Sequence, residues 1–576
     1  MKLLPKSKFD RLAHFFSKLP YFSRPDKHSL HFLNCAQFMG VLNDNIFKLV
    51  IAFLLIDIIG KQYASSILSL AGAIFVIPFL LFSSTAGVLA DRFSKQRLMM
   101  WMKAAEMATM VLAMLAFAFK SVWGSCGLLF LLSTHSALFG PSKYAIISEL
   151  VPQDKVSSAN GLITSFTYLG VILGTFLASF TTEITHHNFV IIAAFCLLVA
   201  AVGFISTFGI RYTPPQGSHK QLNFFFVREI YSTLKFCVSR KHLLVAMTGS
   251  AYFLFIGAFA QLNIIPYTIT ELHHSEVVGG YLFLSTALGI ALGAYIGGKA
   301  SKKRVELGLS CFAGLFIALF LFLLSLFSSH LTTVVIFLVL LGICGGLFIV
   351  PFDSFVQLYS PDEKRGQIIA ANNFLSFCGV LVASIALFIF SGLLGLSPAT
   401  GFAVTGFVTL LLSLLMISRL SDLALPFFAR AFIKPFSKLT CKNLELLEKN
   451  PGAILILEKA TWEKAFLLFS VVPNIHLLIR RGKNRRFPWF NWAFYSIHLI
   501  HSDEKLEPLL ETAKFITDET INPCIFVESD KLPDSLTQVS GLKSLFKGKQ
   551  TKFIYVDVHF AHHTTTLTLR VDLNPN

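Results

Sequence analysis

Ionisable side chains stand inside long apolar stretches of this sequence. Asp44 is flanked by Asn43 and Asn45, and Lys48 follows four residues later. On a helix, that spacing puts the carboxylate and the ammonium on one face, where they can pair. A charged group within a membrane helix costs ~2.5–3.5 kcal/mol or more, so Asp44 should face either a polar cavity or a partner. A binding role and a structural ion pair are therefore both open.

Further polar groups occupy the same kind of position. Lys143 and Glu149 come after Pro141, near the end of an apolar run, and can bind a phosphate or pair with other parts of the protein. Asp353 follows Pro351 in what we expect to be a broken helix, a common place for binding groups. The other polar side chains that could line a substrate pathway are Glu106, Gln261 and Asn263.

The composition of the chain is that of a membrane protein. Of its 576 residues, 54% are hydrophobic and only 14% are charged, whereas a soluble protein carries about 25% charged residues. The net charge of +17 resides in short loops between apolar runs, so it indicates membrane topology rather than nucleic-acid binding. The nine cysteines are scattered singly, which predicts neither a disulfide framework nor a metal site.

Twelve apolar runs reach the ~20 residues that can cross a bilayer. We therefore predict an all-α membrane part of twelve helices. Basic loops alternate with loops that hold few cations, and positive charge marks the cytoplasmic side, so both termini should be cytoplasmic. The predicted spans are about 31–58, 66–90, 98–119, 123–141, 159–181, 189–210, 243–269, 277–299, 305–328, 332–358, 367–393 and 397–419.

The membrane part consists of two related halves, 31–210 and 243–420, joined by a basic linker, 211–242. Each half contains an apolar run with a proline, then a second proline, charges and an Ala-Asn pair. A membrane protein built from two related halves is most often a transporter with its substrate site between them. Residues 1–30 form a basic arm without a cleavable signal, which either lies on the membrane surface or is solvated.

The loop after the second span carries a specific pattern. Its sequence GVLADRFSKQR (87–97) has a counterpart after the eighth span, GAYIGGKASKKR (293–304). This arrangement resembles the major facilitator superfamily, whose signature is Gly-x-x-x-Asp-Arg-x-Gly-Arg/Lys, although Ser94 replaces the second glycine. The resemblance implies a latch in which the aspartate pairs with basic groups and stabilises one access state; an ordinary basic turn is the alternative. The expected latch residues are Gly87, Asp91, Arg92, Lys95 and Arg97.

Three segments of the sequence resemble one particular family within this superfamily. They are AQFMGVLNDNIF (36–47), FGPSKYAIISELVP (139–152) and GGLFIVPFDSFVQ (345–357). They are similar to bacterial lysophospholipid transporters, which carry Pro-x-Lys-Tyr-x-x-x-x-Glu-Leu in the second segment. The resemblance implies a flippase that moves lysophospholipid across the inner membrane by alternating access, for re-acylation on the cytoplasmic side. A zwitterionic head group needs a cation site and an anion site, and the acyl chain needs an apolar flank.

Energy coupling is left open by the sequence. The chain lacks a P-loop, so we expect neither direct use of ATP nor a cofactor. Ion coupling through Asp44 or Glu106 and downhill movement of lipid fit equally well. Paired halves predict one functional unit per chain, hence a monomer. The alternatives to lysophospholipid transport are a carrier of another small molecule and a membrane-bound acyltransferase.

The composition changes after Ser418. Residues 421–576 alternate β-rich runs with helical stretches, which predicts a cytoplasmic α/β domain. Their order resembles glycerolipid acyltransferases, whose Asn-His-x-x-x-x-Asp motif supplies the catalytic base and the carboxylate that orients it. Here Lys459 and Lys464 take those two positions. The resemblance therefore implies an inactive domain without catalytic residues, and an acyltransferase or an acyl-acyl-carrier-protein synthetase as a partner.

Overall fold

The computed structural model describes residues 25–60, 64–215, 226–274, 276–301 and 305–433, a helical turn at 467–468 and seven strands between residues 438 and 571. Contacts divide the chain into two compact units. The membrane unit comprises 1–305 and 313–410. The C-terminal unit comprises 306–312 and 411–576.

Twelve helices among the described residues are long and apolar enough to cross a membrane, which confirms the predicted number of spans. Apolar runs of this length fold as helices because lipid offers no hydrogen bonds, so each backbone group must be satisfied within its own segment. The spanning helices are α1 Pro25–Ile59, α2 Ala64–Arg92, α3 Lys95–Ala118, α4 Val122–Leu150, α5 Val156–Ile184, α6 Phe189–Thr207, α8 Lys241–Thr270, α9 Glu276–Ala300, α10 Leu307–Leu326, α11 Leu331–Tyr359, α12 Arg365–Leu387 and α13 Pro398–Arg419.

Shorter elements connect these helices. Helix α7, Phe226–Val238, lies in the sequence between the two halves. Single 3₁₀ turns, Gln153–Lys155 and Asp362–Lys364, precede α5 and α12. A π-helical turn, Phe388–Leu393, follows α12. The equivalent placement of the two 3₁₀ turns repeats the sequence relationship between the halves.

Pro141 and Pro351 do not end their helices. Helix α4 continues through Pro141 to Leu150, and α11 continues through Pro351 to Tyr359. The predicted end of the fourth span at Pro141 and the predicted break at Pro351 are therefore wrong. A proline removes one N–H donor from the helix, but packing against neighbouring helices offsets this loss in membrane proteins. Lys143 and Asp353 consequently project from continuous helices.

Glycines bring helices of the two halves into direct contact. A Cβ added to Gly161 of α5 would lie 2.4 Å from the carbonyl oxygen of Ala294 in α9. A Cβ added to Gly87 of α2 would lie 2.8 Å from the carbonyl oxygen of Gly366 in α12. Such close approach needs residues without side chains. Both contacts lie on the side of the α2–α3 and α4–α5 connections, which we call the basic side.

The C-terminal unit includes α14, Ser421–Ile433, and a seven-stranded sheet of order β1-β7-β6-β2-β5-β3-β4. In α14, Arg430 forms a 2.7 Å salt bridge with Glu306. All strand pairs are parallel except β6 with β7. The expected helices between the strands, with Lys459 and Lys464, lie outside the described residues. The strands are β1 Lys438–Lys442, β2 Ile454–Leu457, β3 Ile475–Arg481, β4 Ile497–His501, β5 Asn522–Phe526, β6 Phe553–Ala561 and β7 Thr564–Val571.

Candidate functional site

A cavity of about 370 Å³ lies between the two halves of the membrane unit. Its volume falls in the range of small-molecule sites. The first half contributes Asp44, Glu106 and Lys143 to its wall, and the second half contributes Asp353. The structure therefore brings together ionisable residues that are as far apart in the sequence as Asp44 and Asp353.

Asp44 is anchored by α4 rather than by Lys48. Its Oδ2 accepts a 2.8 Å hydrogen bond from the Ser136 hydroxyl, and the residue is 7% exposed. The ammonium of Lys48 lies 5.2 Å from the centroid of the Phe75 ring, and no salt bridge joins it to Asp44 within the described chain. The helical spacing allows the ion pair of Asp44 with Lys48 that the sequence predicted. In the structure, however, Asp44 contacts Ser136 of α4 and Lys48 contacts the ring of Phe75 in α2. Asn45, which also lines the cavity, donates to a carbonyl of its own helix.

A buried ion pair lines the cavity, and sequence analysis missed one of its members. Lys103 Nζ lies 2.6 Å from Glu106 Oε2, and Asn43 Nδ2 donates a 2.8 Å hydrogen bond to Glu106 Oε1. All three side chains are buried. A lysine three residues before a buried acid was the available signal, because that spacing brings two side chains together on a helix. Glu106 is thus held by two partners, and Asn43 supports it from behind the cavity wall.

Lys143 differs from Lys103 in its surroundings. Among the described residues its ammonium makes no salt bridge or hydrogen bond, and its Nζ lies 4.2 Å from the centroid of the Tyr144 ring. It interacts electrostatically with Asp353 and Asp44. The Asp353 carboxylate accepts a 3.0 Å hydrogen bond from the Ser250 hydroxyl. The cavity therefore offers one cation, open to a ligand, together with an acid from each half.

Apolar side chains form much of the remaining wall. Phe79 of α2 and Phe377 of α12 have ring centroids 4.5 Å apart. Tyr168 of α5 and Phe253 of α8 meet edge to face at 6.5 Å. Each ring pair joins the two halves. The other large apolar residues of the lining are Phe75, Phe139, Val171, Leu254 and Ile349.

On the basic side of the cavity, Asp91 connects the two halves. Its carboxylate accepts a 2.6 Å hydrogen bond from the backbone amide of Gly366 and a 3.0 Å bond from that of Gln367. The Gln367 side-chain amide adds a third bond at 3.2 Å. The first turn of α12 has amides without helical partners and a dipole that favours negative charge. The sequence predicted basic side chains as partners of Asp91. Lys95 does interact with it electrostatically, but its hydrogen bonds cap a helix of the opposite half.

The other latch residues surround this contact. Lys95 Nζ lies 2.6 Å from Glu149 Oε1, so Glu149 pairs with one of the expected latch residues and does not line the cavity. Ser94, which replaces the second glycine of the signature, accepts a hydrogen bond from the Arg97 amide and caps α3. The side chains of Arg92 and Arg97 are exposed.

A pair of side-chain amides forms a further link between the halves. Asn160 of α5 donates to Gln357 of α11 at 3.0 Å, and Gln357 donates back at 2.8 Å. Asn160 also donates to Ser354. All three residues are buried. In the sequence, Asn160 was visible only as part of a repeated Ala-Asn motif. Its hydrogen bond to Gln357 could not be predicted, because the spacing of residues along one helix does not indicate contacts with another helix.

These features have counterparts in known proteins. The sequence model of the Major Facilitator Superfamily matches residues 33–384 of this chain. The chain belongs to this superfamily. Twelve helices of its described residues are long and apolar enough to span a membrane, so it is a multi-pass membrane transporter.

Two curated relatives within the superfamily are lysophospholipid transporters. The lysophospholipid transporter LplT of Enterobacter sp. (strain 638) is 25% identical over 374 residues, which cover 64% of this chain and 89% of the relative. The lysophospholipid transporter LplT of Escherichia fergusonii is 26% identical over 344 residues, which cover 59% and 81%.

Solved structures share the superfamily fold. The human organic anion transporter MFSD10 superposes with a TM-score of 0.55 at 15% identity, covering 68% of this chain and 99% of that protein. The Escherichia coli fucose:proton symporter FucP superposes with a TM-score of 0.53 at 12% identity, covering 67% and 98%. At these identities the likeness concerns the fold.

Five residues that sequence analysis placed in the pathway do not line the cavity: Asn43, Lys48, Glu149, Gln261 and Asn263. Gln261 is exposed on α8. Asn263 is buried, and its side-chain amide donates a 2.8 Å hydrogen bond to the carbonyl oxygen of Pro398. Gln261 lies on the face of α8 that carries the lining residue Leu254, but about two turns further along the helix, beyond the cavity. Asn263 is turned about 200° away from Gln261, at ~100° per residue.

Proposed function

We propose that this chain moves lysophospholipids across the bacterial inner membrane by alternating access, for re-acylation on the cytoplasmic side. The observation that carries the proposal is Lys143, a buried cation that faces the cavity without a salt bridge in the described chain. A buried charge is stable only with a partner, so this site favours an anionic ligand group. The printed names of the two curated relatives agree with a lysophospholipid.

The charges of the cavity match a zwitterionic head group. The phosphate of a lysophospholipid would bind the Lys143 ammonium through a charge-assisted hydrogen bond. The ammonium of an ethanolamine head group would then lie near Asp44 or Asp353, which interact with Lys143 and come from different halves. A ligand that touches acids on both halves favours the state in which these halves come together around it.

The apolar wall matches the acyl chain. Phe79 and Phe377 meet where α2 of the first half passes α12 of the second half. An acyl chain beside these rings would keep its methylenes away from water, which stabilises the complex by ~0.8 kcal/mol for each CH₂ buried. A sugar or another substrate without a hydrocarbon chain would bury much less apolar surface against this wall.

The contacts of Asp91 and Asn160 join the halves on the basic side, which the distribution of positive charge assigns to the cytoplasm. Alternating access requires these contacts to break while the opposite side closes. The present arrangement thus corresponds to a state closed towards the cytoplasm. Hydrogen bonds from one carboxylate and one amide pair are few enough to form and break during each cycle.

The experiment that tests the proposal is uptake of labelled lysophosphatidylethanolamine into proteoliposomes that contain the full chain. Asp44→Asn and Lys143→Gln remove one charge each with little change of shape. We expect uptake by the wild type and loss of most uptake in both variants. Lys155→Gln is the control, because Lys155 is an exposed cation in the turn before α5 and does not line the cavity.

Two outcomes would overturn the proposal. Absence of uptake by a correctly inserted wild-type chain would favour a carrier of another small molecule. Normal uptake by both charge variants would remove the head-group assignment. Competition by glycerophosphoethanolamine, which lacks the acyl chain, should be weak if the apolar wall contributes to binding.

We further propose that residues 421–576 form an acyltransferase-like domain without acyltransferase activity, because lysines replace both catalytic residues of the motif at 459 and 464. Such a domain could retain a docking role for an active acyltransferase or an acyl-acyl-carrier-protein synthetase. The test is acyl transfer to a lysophospholipid by the purified full chain. Formation of diacyl product would refute the proposal.

A further inference from the structure

Helix α7 packs across the contact between the two halves. It touches α2 of the first half and both α8 and α12 of the second half. The same ends of α2 and α12 are joined by Asp91 and Gly366. Any separation of α2 from α12 on the basic side must therefore break part of the packing of α7.

Helix α7 has a buried face and, opposite to it, an exposed basic face. Ile230 and Cys237, seven residues apart, are 4% and 0% exposed and form its buried face. The opposite face carries Arg228, Tyr231 and Lys235, all exposed, with spacings of three and four residues that align them along the helix. The exposed face thus combines two cations with an aromatic ring that is 67% exposed.

The contacts of Phe236 fix the depth of α7. Its ring centroid lies 4.2 Å from Lys364 Nζ and 4.9 Å from the Arg240 guanidinium carbon. Lys364 directly precedes α12, and Arg240 directly precedes α8. Because the ends of spanning helices lie at the head-group region, α7 lies at the same depth.

We propose that α7 binds the phosphate groups of anionic phospholipids in the basic-side leaflet through Arg228 and Lys235, and that this binding holds the α2–α12 contact closed. Exposed cations beside a tyrosine are the composition that suits the membrane interface. Anionic lipids attract basic segments placed at the surface of the leaflet. Glu229, the one acid within Phe226–Val238, is half-buried, and the nearby Asp362 is engaged by Arg365, so the exposed face of α7 is positively charged.

Cys237 provides a readout that does not depend on transport. Burial raises the pKa of its thiol to about 11, so the thiol is protonated near neutral pH and reacts slowly with maleimides. If α7 lifts from α2 and α12, the thiol gains water, its pKa falls towards the ordinary value and its alkylation accelerates. The rate of alkylation at Cys237 therefore measures the docking of α7.

The experiment uses the full chain in nanodiscs of phosphatidylcholine with graded fractions of phosphatidylglycerol. Maleimide alkylation of Cys237 is followed by mass spectrometry of its peptide. Cys196, fully buried in α6, is the internal control for unfolding, because it should stay protected throughout. We expect phosphatidylglycerol to slow alkylation at Cys237 by roughly tenfold, in line with two cations near an anionic surface.

In the double variant Arg228→Gln/Lys235→Gln, Cys237 should be alkylated rapidly at every fraction of phosphatidylglycerol. Lys155→Gln is its matched control, because Lys155 is an exposed cation on the same side in the turn before α5, and it should keep the lipid dependence. A Cys237 rate that does not change with phosphatidylglycerol would overturn the proposal. So would a double variant with the lipid dependence of the wild type. Neither result involves lysophospholipid, so failure here is distinct from failure of the proposed substrate.

Discussion

The carboxylate of Asp91 accepts a 2.6 Å hydrogen bond from the backbone amide of Gly366, a residue 275 positions later in the chain. One acid at the end of α2 thus satisfies the free amides at the start of α12 in the opposite half. Because the donor is the backbone amide of Gly366, a substitution of the side chain at 366 cannot restore the hydrogen bond that is lost when Asp91 is replaced. The stability of this contact between α2 and α12 therefore depends directly on the charge of one residue.

Asp91→Asn should favour opening on the basic side. The substitution keeps one acceptor oxygen but removes the charge that the α12 dipole favours, which we estimate to cost about 1–2 kcal/mol. That difference corresponds to a roughly 5–30-fold shift towards the open state. Spin labels on the basic-side ends of α3 and α9 would report the shift as a longer distance between the halves. Asp154→Asn, which changes an exposed acid in the turn before α5, should leave the distance distribution unchanged.

Gly87→Ala should prevent closure of the same contact. The new Cβ would lie 2.8 Å from both the Gln367 Cα and the Gly366 carbonyl oxygen, which are backbone atoms that cannot rotate away. We expect full insertion in the membrane, a separated α2–α12 contact in the label distances and loss of most transport. Gly72→Ala on the same helix is the control, because nothing lies within 4 Å of its added Cβ. Equal behaviour of the two variants would contradict the role of close packing.

The fold was largely predictable from the sequence, because the apolar length of each spanning helix is visible in its own segment. The twelve predicted spans were confirmed for this reason. The helix ends near Pro141 and Pro351 were predicted wrongly. Local propensity favours a break at proline, whereas packing against neighbouring helices maintains both helices.

Pairing between helices was much less predictable. Sequence analysis selected Asp44, Glu106, Lys143 and Asp353 because charge in an apolar run needs an explanation, and the structure gathers them at one cavity. It did not identify the bond between Asn160 and Gln357, nor the backbone partners of Asp91. These contacts depend on the rotation of helices about their axes, and a membrane span that is apolar on nearly every face does not specify that rotation in its sequence.

Lys103→Met should destabilise the folded protein. It would leave the Glu106 carboxylate buried with Asn43 as its remaining partner, and breaking a buried ion pair from one side costs about 3–5 kcal/mol. Thermal unfolding of the purified chain in detergent should show a clearly lowered midpoint. The double variant Lys103→Met/Glu106→Leu should recover much of this loss, since an apolar pair of similar volume replaces a buried ion pair at little cost. A double variant less stable than the single one would show that Glu106 has another stabilising partner.

The contact of Phe79 with Phe377 should set the preference for acyl-chain length. Phe377→Ala would remove one of two rings packed 4.5 Å apart across the halves, and a long chain would lose part of its apolar wall. We expect a raised KM for long-chain lysophospholipids and a smaller change for short-chain ones, because the lost area is contacted only by the distal methylenes. Uptake kinetics with a series of chain lengths would measure this difference.

Phe176→Ala is the matched control for that series. Phe176 lies on α5 with 58% of its surface exposed, stacked on Phe180 rather than on the cavity wall. Its removal takes away a ring of the same size without changing the cavity, so its KM values should follow the wild type at every chain length. If Phe377→Ala raised KM equally for all chain lengths, the ring would act on the head group or on closure of the halves. Separate measurement of kcat would distinguish these two cases, because a closure defect lowers the turnover rate even at saturating lipid.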